Sequence, residues 1–126
     1  MSHLEQKQAI LKRARRVVVK IGSSLVSAED GLDRKRLRAL AREINDLYGE
    51  RREFIIVTSG AVAAGRARLG LRERPKTIPQ KQAAAAVGQI DLMAAYKECF
   101  EARGRHVAQL LLTRDDLSNR RRYLNA

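Results

Sequence analysis

Two short apolar runs, each closed by glycine and serine, restrict this chain more than any other feature. The first is Val17-Val18-Val19-Lys20-Ile21-Gly22-Ser23-Ser24, and the second is Phe54-Ile55-Ile56-Val57-Thr58-Ser59-Gly60-Ala61. Near-continuous β-branched and aromatic runs of this length predict buried strands of the kind found in parallel sheets. Parallel strands need a crossover, and the intervening residues supply one. After a polar loop through Gly31, Asp33 is placed to cap a helix with apolar positions Leu37, Leu40, Ala41, Ile44, Leu47 and Tyr48. That spacing of three and four buries one face. Arg34, Lys35, Arg36, Arg38 and Arg42 fall mainly outside the stripe, as a solvated face would have it. Gly49 is expected to end the helix with positive φ.

The pattern continues past the second run. Residues 61–69 predict a helix ending near Gly70, and Leu71 to Lys76 a charged linker containing Pro75. Thr77-Ile78-Pro79-Gln80 carries the reciprocal capping signature, with proline in the first turn. A long helix should follow to about Arg103, its alanine-rich start implying close helix packing. Gly104 breaks it, and His106 to Leu112 predicts a third strand. Thr113-Arg114-Asp115-Asp116 then opens a further helix. The polar residues 1–14 read as an arm or short leading helix. The resulting order predicts an α/β fold of about three strands and four helices, with a mainly parallel sheet covered on both faces. Three strands are few for such a sheet, so the chain is expected to be part of a longer one.

Composition narrows the class. The 126 residues suit one domain and a real core. A single cysteine, Cys99, allows no internal disulfide framework and suits a reducing compartment. No apolar run is long enough to span a membrane, and no signal core follows the start. The 26 basic and 14 acidic residues give a formal net charge of +12. That excess raises the possibility of a polyanion partner. Against nucleic acid stand the scattered arginines and an aromatic content of only 4%, too little for stacking platforms.

Ligands of open parallel sheets bind beyond the carboxyl ends of the strands. Both such ends here carry small, hydroxyl-bearing turns, Gly22-Ser23-Ser24 and Thr58-Ser59-Gly60-Ala61. Glycine admits a close approach of backbone N–H groups to an anion, and a helix start behind it adds partial positive charge. Lys20 brings a cation to the first strand end, where a phosphoryl group in transfer would need one. Taken singly, each is also what an ordinary turn or edge lysine looks like; together they point to an anion site. Gly60 to Ala67 has the glycine spacing of a phosphate-binding P-loop but lacks its Lys-Ser/Thr, and its alanines favour helix. His3, His106 and Cys99 do not cluster as metal ligands. Asp115 and Asp116 suit a helix first turn.

The same residues resemble the amino-acid kinase family, in the version used by its glutamate 5-kinases. Val17 to Ser24 is similar to the family's opening strand and glycine loop, and Ile55 to Gly65 to its second-strand motif. Lys81 to Gln89, Gln109 to Asp116 and Arg122 to Ala126 continue the similarity, which covers about residues 15–126. The resemblance implies a truncated parallel-sheet αβα sandwich of the amino-acid kinase type. It also implies an ATP- and Mg2+-dependent cytoplasmic enzyme making L-glutamyl 5-phosphate, the first step of proline biosynthesis. On this basis Lys20 is expected to act catalytically and, with Gly22 and Ser23, to bind ATP; Ser59, Gly60 and Ala61 are expected to bind L-glutamate. No residue is assigned to metal. Residues 15–126 would be the amino-terminal, substrate-side part of the kinase domain. The ATP-binding part and any PUA domain would lie outside it, so the chain alone is expected not to turn over. Proline is expected as feedback inhibitor, and self-association in the longer protein. A kinase of the family with another acceptor and a non-catalytic basic nucleic-acid-binding module are the alternatives.

Overall fold

The computed structural model describes residues 2–49 and 52–126. Strands β1 (Arg16–Ile21) and β4 (Glu53–Thr58) pair in parallel, with Val19 opposite Ile56 and Ile21 opposite Thr58. Side chains alternate across a strand. Val19, Ile21, Phe54 and Ile56 therefore share one face, and that face meets helices α3 (Arg34–Leu47) and α5 (Ile78–Glu101). The core lies between these layers. Ile21, Leu37, Ala41, Ile44, Leu92, Ala95, Tyr96 and Phe100 are all buried in it.

The other sheet face departs from the expectation of a double-sided layer. Val18, Ile55 and Val57 are 61%, 47% and 51% exposed. The strands are half-buried because, among the described residues, helices cover one side only. The expected third strand is also absent from the sheet. Residues 106–112 carry no strand, and among the described residues no backbone hydrogen bond joins them to β1 or β4. Leu110 and Leu111 are 68% and 76% exposed. An apolar run declares strand propensity, but a ladder needs a partner edge, which periodicity does not reveal.

Several boundaries follow directly from local chemistry. The Asp33 side chain accepts from the Arg36 N–H and starts α3 as expected. Thr77 and Gln80 form a complete reciprocal cap on α5, and Thr113 and Asp116 do the same for α6 (Arg114–Ser118). Asn119 then interrupts the last helix, capping α7 (Arg120–Tyr123) with its own side chain. The polar loop after Ser24 is more ordered than its composition implies. It contains a short helix α2 (Ser23–Val26) and a two-residue hairpin, β2 (Ser27–Ala28) with β3 (Gly31–Leu32).

Gly49 does not end α3 with positive φ; the glycines that adopt it are Gly31, Gly60, Gly70 and Gly104. The helix stops at Tyr48, whose backbone is extended. Tyr48 is held outside the helical path by a stack on Phe54 and by the Arg105 guanidinium, 3.9 Å from its ring centroid. Leu47 and Tyr48 accordingly leave the predicted buried stripe, at 56% and 37% exposed. Helix α1 (His3–Arg13) buries no residue.

The crossing of α4 (Ala61–Arg68) over α5 positions the site. A Cβ on Gly65 would collide with the Ala84 carbonyl, and one on Gly88 with the Ala61 carbonyl. The two backbones touch at these glycines, as the alanine-rich sequence implied. Gly65 is thus a packing glycine, consistent with the rejection of a P-loop.

Candidate functional site

The two carboxyl-end turns meet through the backbone. The Ser59 N–H donates to the Ile21 carbonyl at 3.0 Å, extending the β1–β4 pairing one step beyond the strands. The chain then reverses into α4 at Gly60, whose φ of +119° belongs to glycine. A side chain there would also press on Val26 Cγ2 at 2.9 Å.

A cavity of about 380 Å³ opens at this turn. Ser23, Ser59, Gly60, Ala61, Gln89 and Leu92 line it, with Thr58, Val62 and Ala63 completing the wall. Gly60 provides no side-chain cap for α4. The N–H groups of Ala61, Val62 and Ala63 precede the first intrahelical bond, which Ala64 makes to the Gly60 carbonyl at 2.9 Å. The wall therefore joins uncapped helix N–H groups to two serine hydroxyls and a carboxamide, with no acidic side chain among its residues. Such an edge accepts an anion, favoured by both the free donors and the helix dipole.

Ser23, expected to serve ATP, and Ser59, Gly60 and Ala61, expected to serve glutamate, line this one cavity. Gly22 and Lys20 lie outside the lining. Gly22 precedes α2 and has open space where a Cβ would stand. Lys20 is exposed on the uncovered sheet face, opposite Val57, and makes no salt bridge among the described residues. Gln89 and Leu92 were not singled out as site residues. Their signal lies in Gly88, whose missing side chain lets α4 settle on α5 and carries the next residue, Gln89, to the cavity. No group of three or more His, Cys, Asp or Glu side chains is placed to hold a metal among the described residues.

Below the turn, Thr58 Oγ1 lies 2.7 Å from the Tyr96 hydroxyl and 3.0 Å from the Ser59 carbonyl oxygen. Burial pushes the Tyr96 phenol above its ordinary range, against the lowering influence of the Thr58 hydrogen bond. The group therefore remains protonated at neutral pH.

A parallel sheet with helices packed on it and a small-residue cavity at its carboxyl edge defines a truncated α/β unit. Residues 15–126 match the amino acid kinase family, and the chain belongs to it. The chain is 56% identical over 121 residues to a glutamate 5-kinase of Citrifermentans bemidjiense, covering 95% of this chain and 32% of that protein. It is 57% identical over 119 residues to one of Geobacter metallireducens, covering 94% and 32%. Identity to a Thermus thermophilus glutamate 5-kinase is 55% over 113 residues, covering 90% of this chain and 30% of that protein. The chain thus spans about a third of the length of these curated relatives. Among the described residues, no helix is long and apolar enough to cross a membrane.

Proposed function

We propose that this chain forms the acceptor side of an ATP-dependent kinase that converts L-glutamate to L-glutamyl 5-phosphate, in the first step of proline biosynthesis. The observation that carries this reading is the uncapped start of α4, opening with Ser59 and Ser23 into a cavity free of acidic side chains. The names of the relatives support glutamate as the acceptor. In this reading residues 1–14 are an arm and 15–126 the amino-terminal part of the kinase domain. The longer protein is cytoplasmic, self-associating and inhibited by proline.

Ser59, Gly60 and Ala61 hold glutamate through the serine hydroxyl and the backbone N–H groups of the turn. A glutamate side chain is already ionised at neutral pH, so its attack on phosphorus requires no strong protein base. What it requires is alignment and relief of charge repulsion. Lys20, Gly22 and Ser23 would serve the phosphates. An ammonium exposed and without a salt bridge among the described residues, and a glycine with clear space above it, are suited to that role. When bound, ATP supplies the phosphoryl group and Mg2+ offsets phosphate charge. No residue of this chain is assigned to the metal.

The test is an ATP-dependent glutamyl-hydroxamate assay on this chain and on a form extended to the relatives' length, each with and without Lys20→Ala. Turnover is expected only in the extended form, with Lys20→Ala lowering it about 10²–10³-fold. Turnover of another amino acid in preference to glutamate would overturn the acceptor assignment. Nucleic-acid binding that survives physiological salt and ignores Lys20→Ala, without any turnover, would favour a basic binding module instead.

A further inference from the structure

We propose that Tyr96 is a positioning residue for the acceptor turn, holding the Ser59–Gly60 peptide through Thr58 so that the Gly60 N–H is presented as a further donor. The inference rests on reading the adjoining cavity as the acceptor site. A threonine hydroxyl has one proton. With the Thr58 hydroxyl proton turned to the Ser59 carbonyl at 3.0 Å, the phenol is the donor across the 2.7 Å contact with Tyr96. The result is a directed relay, from Tyr96 O–H to Thr58 O–H to the Ser59 carbonyl.

The relay matters because of where it ends. In a planar trans peptide the C=O and the following N–H point in opposite directions. Anchoring the Ser59 carbonyl on Thr58 therefore aims the Gly60 N–H away from Thr58. That N–H has no acceptor among the described residues, and Gly60 itself lines the cavity. Glycine is the residue that most readily permits the alternative peptide orientation. Without the anchor this donor would turn away. Tyr96 is well placed as a fixed post, being 5% exposed and stacked on Phe100 with ring centroids 6.5 Å apart. Its neutral form, favoured by burial, keeps the proton that the relay needs.

The experiment is an L-glutamate titration of the isotope-labelled 126-residue chain, read at the amide resonances of Gly60 to Ala63. It compares wild type with Tyr96→Phe, Thr58→Val, Thr58→Ser and the Tyr96→Phe/Thr58→Val double variant. Tyr96→Phe should displace the Gly60 amide resonance in the free chain and weaken glutamate binding about tenfold. Thr58→Val should do the same, the double variant should be no worse than either alone, and Thr58→Ser should restore wild-type behaviour. An unmoved Gly60 amide with unchanged affinity, or losses that multiply in the double variant, would overturn the proposal. A fall in thermal stability without movement of the Gly60 amide would also overturn it, by reducing Tyr96 to a packing role. Displacement of Gly60 in Tyr96→Phe without glutamate binding by wild type would sustain the positioning role and refute the acceptor reading.

Discussion

At the scale of single residues, the chemistry of this chain is governed by protons that are kept and donors that are left uncapped. Gly60 leaves α4 without a side-chain acceptor, and the freed N–H groups face the cavity that we propose as the acceptor site. Tyr96 shows the complementary case. Because burial raises its pKa above the ordinary phenol value near 10, the unfolded chain ionises before the folded one. Its contribution to stability is whole below about pH 10 and is lost as pH rises through the folded-state pKa. Denaturant unfolding followed from pH 8 to 11 should show this decline, with a shallower alkaline limb in Tyr96→Phe. Equal slopes in the two proteins would refute the assignment. Asp116 works in the opposite sense. Hydrogen bonds from Thr113 hold its carboxyl below the usual range, so acid should loosen the α6 cap only as pH falls through that lowered value. A carbon-13 titration of Asp116 would reveal an unshifted carboxyl if the cap were not formed.

At the scale of elements, glycine governs where helices touch. Gly65 and Gly88 let α4 and α5 meet backbone to backbone, which fixes the Ala61 carbonyl against Gly88 and leaves Ala61 and Gln89 lining one cavity. Overpacking a well-filled contact costs about 1–3 kcal/mol. Gly88→Ala is expected to lose at least that much, since the obstacle is a carbonyl and not a flexible side chain. Urea unfolding midpoints would measure it, and a change below about 0.5 kcal/mol, the range of ordinary surface substitutions, would show that the helices do not cross this closely. The same substitution should perturb the cavity, because the start of α4 has to move to admit the methyl group. The end of α3 makes a related point. Tyr48 leaves the helix for contacts with Phe54 and Arg105, so tertiary packing, not Gly49, terminates it.

At the scale of the whole molecule, the described helices pack on one face of the sheet. Val18 and Ile55 stand exposed beside each other, while Val19 and Ile56 on the same strands pack into the core. Val18→Thr and Ile55→Thr are therefore expected to change stability by no more than about 0.5 kcal/mol. Val19→Thr and Ile56→Thr bury a hydroxyl and should cost more than about 1 kcal/mol each. Equal losses from both faces, read by thermal unfolding, would mean that the outer face is covered.

Local signals in the sequence were sufficient for what neighbouring residues decide between themselves. The caps at Asp33, Thr77 and Thr113 and the parallel pairing of two β-branched runs were legible because each depends on residue type and short spacing. That Ser23, Ser59, Gly60 and Ala61 lie close together was legible for the same reason: small residues stood at neighbouring predicted strand ends. What required the tertiary structure involved partners distant along the chain. The sheet's bare face and the unpaired residues 106–112 depend on whether a covering layer or a neighbouring edge is supplied, which an apolar run does not encode. Gln89 entered the cavity wall only because Gly88 admits α4, and Tyr96 met Thr58 only because α5 lies across the sheet. Residue type sets which contacts are chemically possible, and the crossing of helices over strands selects which of them form.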